Sequence, residues 1–151
     1  MRETWRIWVP LCLFLVMGTG CSSGTAKTPK LVTVTGKILL DGAPLQGANV
    51  IFIPKDNTKG TGGSGVTDAE GKYEARHPSN KAGIEPGTYS VLFSKLAMPD
   101  GSPIPEGKNA ADVGATESLP QQLSNPHPEY ITNVVTVTET GGAFDFTLAS
   151  K

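Results

Sequence analysis

Asp41-Gly-Ala-Pro-Leu-Gln-Gly-Ala-Asn-Val-Ile-Phe-Ile-Pro54 is the stretch whose reading decides the fold. Asp41-Gly42 is a turn pair, because glycine takes a positive φ at little steric cost. Pro44-Leu45-Gln46-Gly47 leads into Ala48-Asn-Val-Ile-Phe-Ile53, and Pro54 stops the run. Apolar residues stand on both of its faces, Val50 and Phe52 against Ile51 and Ile53. A short run covered on both sides reads as a strand in the middle of a sheet.

The neighbours on either side keep the same two-residue period. Val32, Val34, Ile38 and Leu40 share one face, with Thr33, Thr35 and Lys37 on the other. Lys55 to Ser64 is a polar, glycine-rich loop, and Gly65-Val66-Thr67 begins another strand. Asp68-Ala69-Glu70-Gly71 turns, and Lys72-Tyr-Glu-Ala-Arg76 returns with Tyr73 and Ala75 inward, which predicts a hairpin. After the turn Ile84-Glu85-Pro86-Gly87, the run Thr88 to Ser94 puts Tyr89, Val91 and Phe93 on one face. Residues 97–129 hold six of the twelve prolines and no aliphatic period. A connection of that length is functional or disordered more often than not. Tyr130 to Thr138 reads as a strand, and Ala143 to Leu148 as a last one with Phe144, Phe146 and Leu148 inward. No segment has the spacing of an amphipathic helix. The expectation is an all-β domain over residues 31–149, a two-sheet sandwich of about seven strands with a long Pro-rich loop at 97–129.

The N-terminus carries an address. Arg2 and Arg6 precede the apolar run Ile7 to Met17, which is 11 residues long. That fits the core of a secretory signal and falls short of the about 20 residues a membrane-spanning helix needs. Gly18-Thr19-Gly20 then stands before Cys21, and this order resembles the bacterial lipobox. Gly18 occupies the place where that pattern has an aliphatic residue. The resemblance implies a lipoprotein signal peptide at 1–20 and lipid attachment at Cys21. The 21–30 stretch, polar from Ser22 to Pro29, then reads as a flexible tether. Cysteine arithmetic agrees, since Cys12 lies inside the signal and Cys21 is left without a partner for a disulfide. Each buried methylene of an acyl chain adds about 0.8 kcal/mol, so two or three chains anchor firmly. The expected location is the cell envelope, at the outer membrane facing the periplasm.

Charge narrows the partners. Setting aside residues 1–20, which hold Arg2, Arg6 and Glu3, leaves 11 Lys and Arg against 13 Asp and Glu. That balance gives no basic footprint for nucleic acid.

Val34-Thr-Gly-Lys-Ile38, Gly42-Ala-Pro-Leu-Gln-Gly-Ala-Asn-Val-Ile-Phe52, Thr67-Asp-Ala-Glu-Gly-Lys-Tyr73 and Gly87-Thr-Tyr-Ser-Val91 together resemble the carboxypeptidase regulatory-like domain. The resemblance implies a transthyretin-like (prealbumin-like) sandwich. Leu119-Pro120, Leu123-Ser-Asn-Pro126 and Phe144-Asp-Phe-Thr-Leu148 are similar to small exported lipoproteins of planctomycete bacteria. Such domains accompany many activities, so the likeness bears on fold and leaves function open.

The motifs that suggest chemistry are sparse. Gly60-Thr-Gly-Gly-Ser-Gly65 matches the glycine spacing of a dinucleotide loop, but a strand and turn follow where a helix should open, and a flexible loop is expected instead. His77 and His127 each precede a proline, and two histidines fall short of the three or four ligands of a zinc site. Ser64 lies between glycines in Gly63-Ser64-Gly65 without a nucleophile-elbow pattern. Asp56, Asn57, Asp68 and Glu70 lack EF-hand spacing and read as turn caps. The expectation is therefore no catalytic residue, no metal and no cofactor. It is a membrane-attached, non-catalytic binding or structural module, with an envelope protein or a glycan as partner. The alternatives are a glycan-binding module and a hydrolase of the 5-hydroxyisourate hydrolase type, whose C-terminal Tyr-Arg-Gly-Ser is replaced here by Thr147-Leu-Ala-Ser-Lys151. Recognition is expected at loops 97–129 and 55–65.

Overall fold

The strand predicted around Val34 is the axis of one sheet. In the computed structural model, which describes residues 29–130 and 132–151, β1 (Val34–Leu40) buries Val34 and Ile38 completely. The expected signal at 1–20, Cys21 and most of the expected tether lie outside the described residues. The first half of β1 lies between β5 (Lys72–Glu74), antiparallel, and β10 (Gly142–Ala143), parallel. Its second half lies between β2 (Ala43–Pro44), antiparallel, and β11 (Phe146–Leu148), parallel.

The C-terminal strands keep one register against β1. Val34 is opposite Gly142, Ile38 opposite Phe146 and Leu40 opposite Leu148. The ladder is interrupted at Phe144-Asp145, which divides the predicted last strand in two. There the Lys37 N–H donates to Asp145 Oδ1 at 2.8 Å, and the Tyr73 hydroxyl donates to the Phe144 carbonyl at 2.8 Å. Burial first, and the Asp145 carboxylate second, push the Tyr73 hydroxyl far above the ordinary tyrosine pKa. Gly36 faces this break, and a Cβ on it would land on the Phe144 carbonyl oxygen. Only a residue without a side chain lets the strands approach so closely.

The second sheet is antiparallel throughout, in the order β4 (Gly63–Val66), β3 (Asn49–Pro54), β6 (Gly87–Ser94), β9 (Val134–Val137). β3 is interior, as its two apolar faces predict, with Val50 and Phe52 buried and Ile51 and Ile53 half-buried. Tyr89, Val91 and Phe93 of β6 also point into the core, but Ser90 and Leu92 on the opposite face are buried as well. A single helical turn, α1 (Gln121–Ser124), runs against β6.

Residues from both sheets share one core. Phe93 meets Phe146 edge-on at 5.0 Å between ring centroids, and Phe52 lies 6.1 Å from Tyr73 and 6.3 Å from Tyr89. Such aromatic pairs add about 0.5–1.5 kcal/mol each beyond their burial. The described residues are thus all-β apart from α1. They form eleven short strands where about seven were expected, because several are two-residue pieces of interrupted ladders.

The hairpin predicted around Asp68-Ala-Glu-Gly71 does not form as a ladder. Its turn exists: Asp68 Oδ1 accepts the Glu70 and Lys72 N–H groups, and the Asp68 N–H donates to the Lys72 carbonyl at 2.8 Å. Its far ends also meet, Ser64 and Arg76 exchanging two backbone bonds of 3.0 and 2.8 Å. Between them the arms part, Val66 pairing with Asn49 in one sheet and Glu74 with Thr35 in the other. Buried Thr67 holds the first arm. Its hydroxyl accepts the Ala48 N–H at 2.9 Å and donates to the Leu45 carbonyl. Tyr73 holds the second arm through Phe144.

The long connection is anchored at several points. β7 (Leu96–Ala97) pairs with β8 (Thr116–Glu117), and the Glu117 carboxylate accepts from Ser94 Oγ, Lys95 N–H and Leu119 N–H. Leu119 belongs to the core and Leu123 packs against it. β9 starts at Val134, later than the predicted Tyr130. Among the described residues no helix is long and apolar enough to cross a membrane.

Candidate functional site

An open cleft of about 1080 Å³ lies where β3, β4 and the β5 arm come together. Its apolar surface comes from Ile51, Ile53 and Val66, and its charged wall from Lys72, Glu74 and Arg76. Those three charged residues alternate with the inward Tyr73 and Ala75, so the strand period places them on one face. Arg76 and Glu74 approach only to 4.0 Å and are exposed, a pairing worth little in water. Val66 is 66% exposed, an unusual state for a valine within a sheet.

The glycine-rich segment is corrected from flexible loop to packed structure. Its second half is β4, which starts at Gly63 rather than Gly65. A Cβ on Gly62 would strike the Phe52 carbonyl, and one on Gly63 the Arg76 carbonyl. These glycines let β4 lie close to its neighbours, and a strand follows them where a phosphate cradle would need a helix.

At one end of the cleft the chain makes a tight turn, the Asn80 N–H donating to the His77 carbonyl at 2.8 Å with Asn80 at φ 63°. The turn brings Ser79 back onto His77, so that the Ser79 N–H donates to His77 Nδ1 at 3.1 Å and Ser79 Oγ lies 2.7 Å from the same nitrogen. Nδ1 therefore presents its lone pair, and the proton of the neutral ring is on Nε2. Nε2 is 2.8 Å from Thr61 Oγ1 and 3.3 Å from Glu85 Oε1. The His77 and Glu85 side chains are only 12% and 15% exposed. Glu85 Oε2 is buried and has no hydrogen-bond partner. Below it, the Tyr89 hydroxyl donates to the Glu85 carbonyl at 2.7 Å, and burial with the nearby Glu85 charge pushes that hydroxyl up to about 12.

The other candidates are dispersed. His127 is exposed near Glu129 and Tyr130, with neighbours separate from those of His77. Ser64 lines the cleft through a strand whose backbone is bonded to Arg76. Asp68 caps its turn as expected, and Asp56 sits at φ 56° in a turn. Cys21 is outside the described residues. Among the described residues no three His, Cys, Asp or Glu side chains gather as a metal site would require.

Sequence reading missed Thr61, Ser79 and Glu85. Glu85 stood in a turn motif, Ile84-Glu-Pro-Gly87, where a carboxylate is ordinarily solvated. The one local signal was His77-Pro-Ser79, a turn-forming order with a hydroxyl two residues after an imidazole.

No protein-family model matches the chain, and no curated protein matches it. A solved structure, the 9R-lipoxygenase from Cyanothece PCC8801, is similar at a TM-score of 0.36, with 18% identity over 82% of this chain. The chain spans 17% of the length of that protein. At that score the likeness carries no argument about fold or activity.

The site thus combines two elements. One is an open, partly apolar groove with a charged wall. The other is an imidazole in a defined tautomer, placed between a hydroxyl and a buried carboxylate.

Proposed function

We propose that this chain is a lipid-anchored lipoprotein of the cell envelope, attached through Cys21 at the outer membrane and facing the periplasm. Its domain is a transthyretin-like two-sheet sandwich of the carboxypeptidase regulatory-like kind. It binds a segment of another envelope protein and does not turn over a substrate. The cleft between β3, β4 and the β5 arm carries the reading, because it offers apolar surface beside alternating charges on a scaffold fixed by both sheets. A groove with Ile51, Ile53 and Val66 at its surface suits protein side chains better than a sugar, whose recognition would favour a cluster of exposed aromatic rings.

Two experiments test it. Mass spectrometry of the mature N-terminus should find a diacylglyceryl group on Cys21, and an unmodified thiol there would remove the anchor. A photo-crosslinking residue at position 66 should capture one discrete envelope protein, and the same residue at Thr147 should not. Capture that survives Arg76→Glu and Ile51→Asp unchanged would place the binding surface elsewhere.

A further inference from the structure

We propose that Ser79 is a base-activated hydroxyl that accepts an acyl group, with His77 as the base and Glu85 as the residue that positions and charges it. This goes beyond the binding reading and stands on different residues, so either can fail alone.

The polarity of the hydrogen bonds is the argument. A backbone N–H is a donor in every protonation state, so the 3.1 Å contact from the Ser79 N–H makes Nδ1 an acceptor. Ser79 Oγ, 2.7 Å from that lone pair, therefore donates its proton to it. The other end of the ring must then carry Nε2–H, which faces Thr61 Oγ1 at 2.8 Å and Glu85 Oε1 at 3.3 Å. The Nε2 hydrogen bond goes to Thr61, and Glu85 stands beside it at ion-pair distance, so hydroxyl, imidazole and carboxylate follow in the order that general-base activation of a serine uses. The same tautomer leaves Nε2 without a lone pair for a metal ion.

Burial gives the relay its driving force. Glu85 Oε2 is buried and has no hydrogen-bond partner of its own. A proton arriving at Nδ1 makes an imidazolium 3.3 Å from that carboxylate, away from bulk water, where charge attraction is least screened. The Glu85 main chain is fixed beneath the ring. Its own carbonyl is held by the Tyr89 hydroxyl, and Pro86 follows it. Ser79 itself is exposed, between Pro78 and Asn80 that line the cleft, so an acyl donor can reach it from solvent.

The step balances with an activated ester as acyl donor. Ser79 Oγ attacks the carbonyl carbon, the new Oγ–C bond forms and the C–O bond to the leaving alkoxide or phenoxide breaks. The Ser79 proton passes to His77 Nδ1 and then to solvent or to the leaving group. The result is a single covalent capture on Ser79.

The test treats the full-length protein with 4-nitrophenyl acetate and maps acetyl groups by peptide mass spectrometry. Ser79 should be acetylated at least about tenfold faster than any other serine. His77→Ala should slow that about a hundredfold, within the usual range for losing a general base, and added imidazole should restore part of it. Glu85→Gln should slow it about tenfold. Acetylation of Ser79 no faster than of other exposed serines, or an equal rate in His77→Ala, overturns the proposal. If His77→Ala does not fold, ¹⁵N NMR of the unmodified protein decides, since a His77 ring protonated at Nδ1 and bare at Nε2 refutes it directly.

Discussion

Replacing Gly36 with alanine should damage this fold out of proportion to one methyl group. The added Cβ would land on the Phe144 carbonyl oxygen, with the carbonyl carbon at 2.6 Å and Tyr73 Cε1 at 2.8 Å. All three belong to the junction where Tyr73 donates to Phe144 and Lys37 donates to Asp145. Relieving the overlap means moving β10 and β11 away from β1 or turning the Tyr73 ring out of the core. Overpacking costs about 1–3 kcal/mol, and losing a partly buried hydrogen bond adds about 1 kcal/mol. The expected loss is therefore about 2–4 kcal/mol. Gly42→Ala is the control, because that glycine has positive φ (84°) and open space around it. Only the backbone penalty applies there, about 1–2 kcal/mol. Both tryptophans, Trp5 and Trp8, precede the described domain, so urea unfolding is best followed by far-UV circular dichroism. For a domain of this size 1 kcal/mol corresponds to about 4 °C in Tm. A Gly36→Ala protein no less stable than Gly42→Ala would refute the close approach of β1 to the C-terminal strands.

Thr67→Val should cost about 2–4 kcal/mol in the same assay, because it strands the Ala48 N–H and the Leu45 carbonyl in a buried place. Leu119→Ala should cost about 2–5 kcal/mol, as for any core leucine, if the connection 97–129 contributes to the core through it. In alkali, Tyr89 is held to about 12 and Tyr73 higher still, while an unfolded chain loses these protons near pH 10. Folded protein then binds more protons than unfolded, so stability is intact below about pH 10 and falls as pH rises towards 12. Tyr89→Phe should flatten that slope, measured by urea titration across the range. Exchange of deuterium at the amides of β3 should be slower than at those of β9, since β3 is paired on both sides and β9 lies at the end of its sheet.

Much of the strand pattern was written locally. Val34 and Ile38, Tyr73 and Ala75, and Tyr89, Val91 and Phe93 all bury the side the two-residue period assigned to them. The Asp68 turn was equally visible, because an Asx cap and a glycine are properties of a few adjacent residues. Pairing between distant strands was not visible. Nothing near Val66 or Glu74 says that they join different sheets, since Thr67 and Tyr73 make that choice through Leu45, Ala48 and Phe144. The second buried face of β6 was hidden for the same reason: nothing adjacent to Ser90 and Leu92 in sequence says that they are enclosed. At the candidate site, His77 could be picked out by its residue type. Glu85 could not, because a carboxylate in a Pro-Gly turn betrays its burial only once the chain has folded over it.

The pairing of β1 with β10 and β11 also sets the order of events as the protein is made. Residues 34–40 emerge about a hundred residues before their parallel partners at 142–148. The first strand must wait, with one edge bare, until the rest of the domain has been delivered. Contacts so remote in sequence make folding slow, in the range of milliseconds to seconds. A chain cut short before Gly142 would leave β1 open along its length, ready to pair with a neighbour or to be found by a protease.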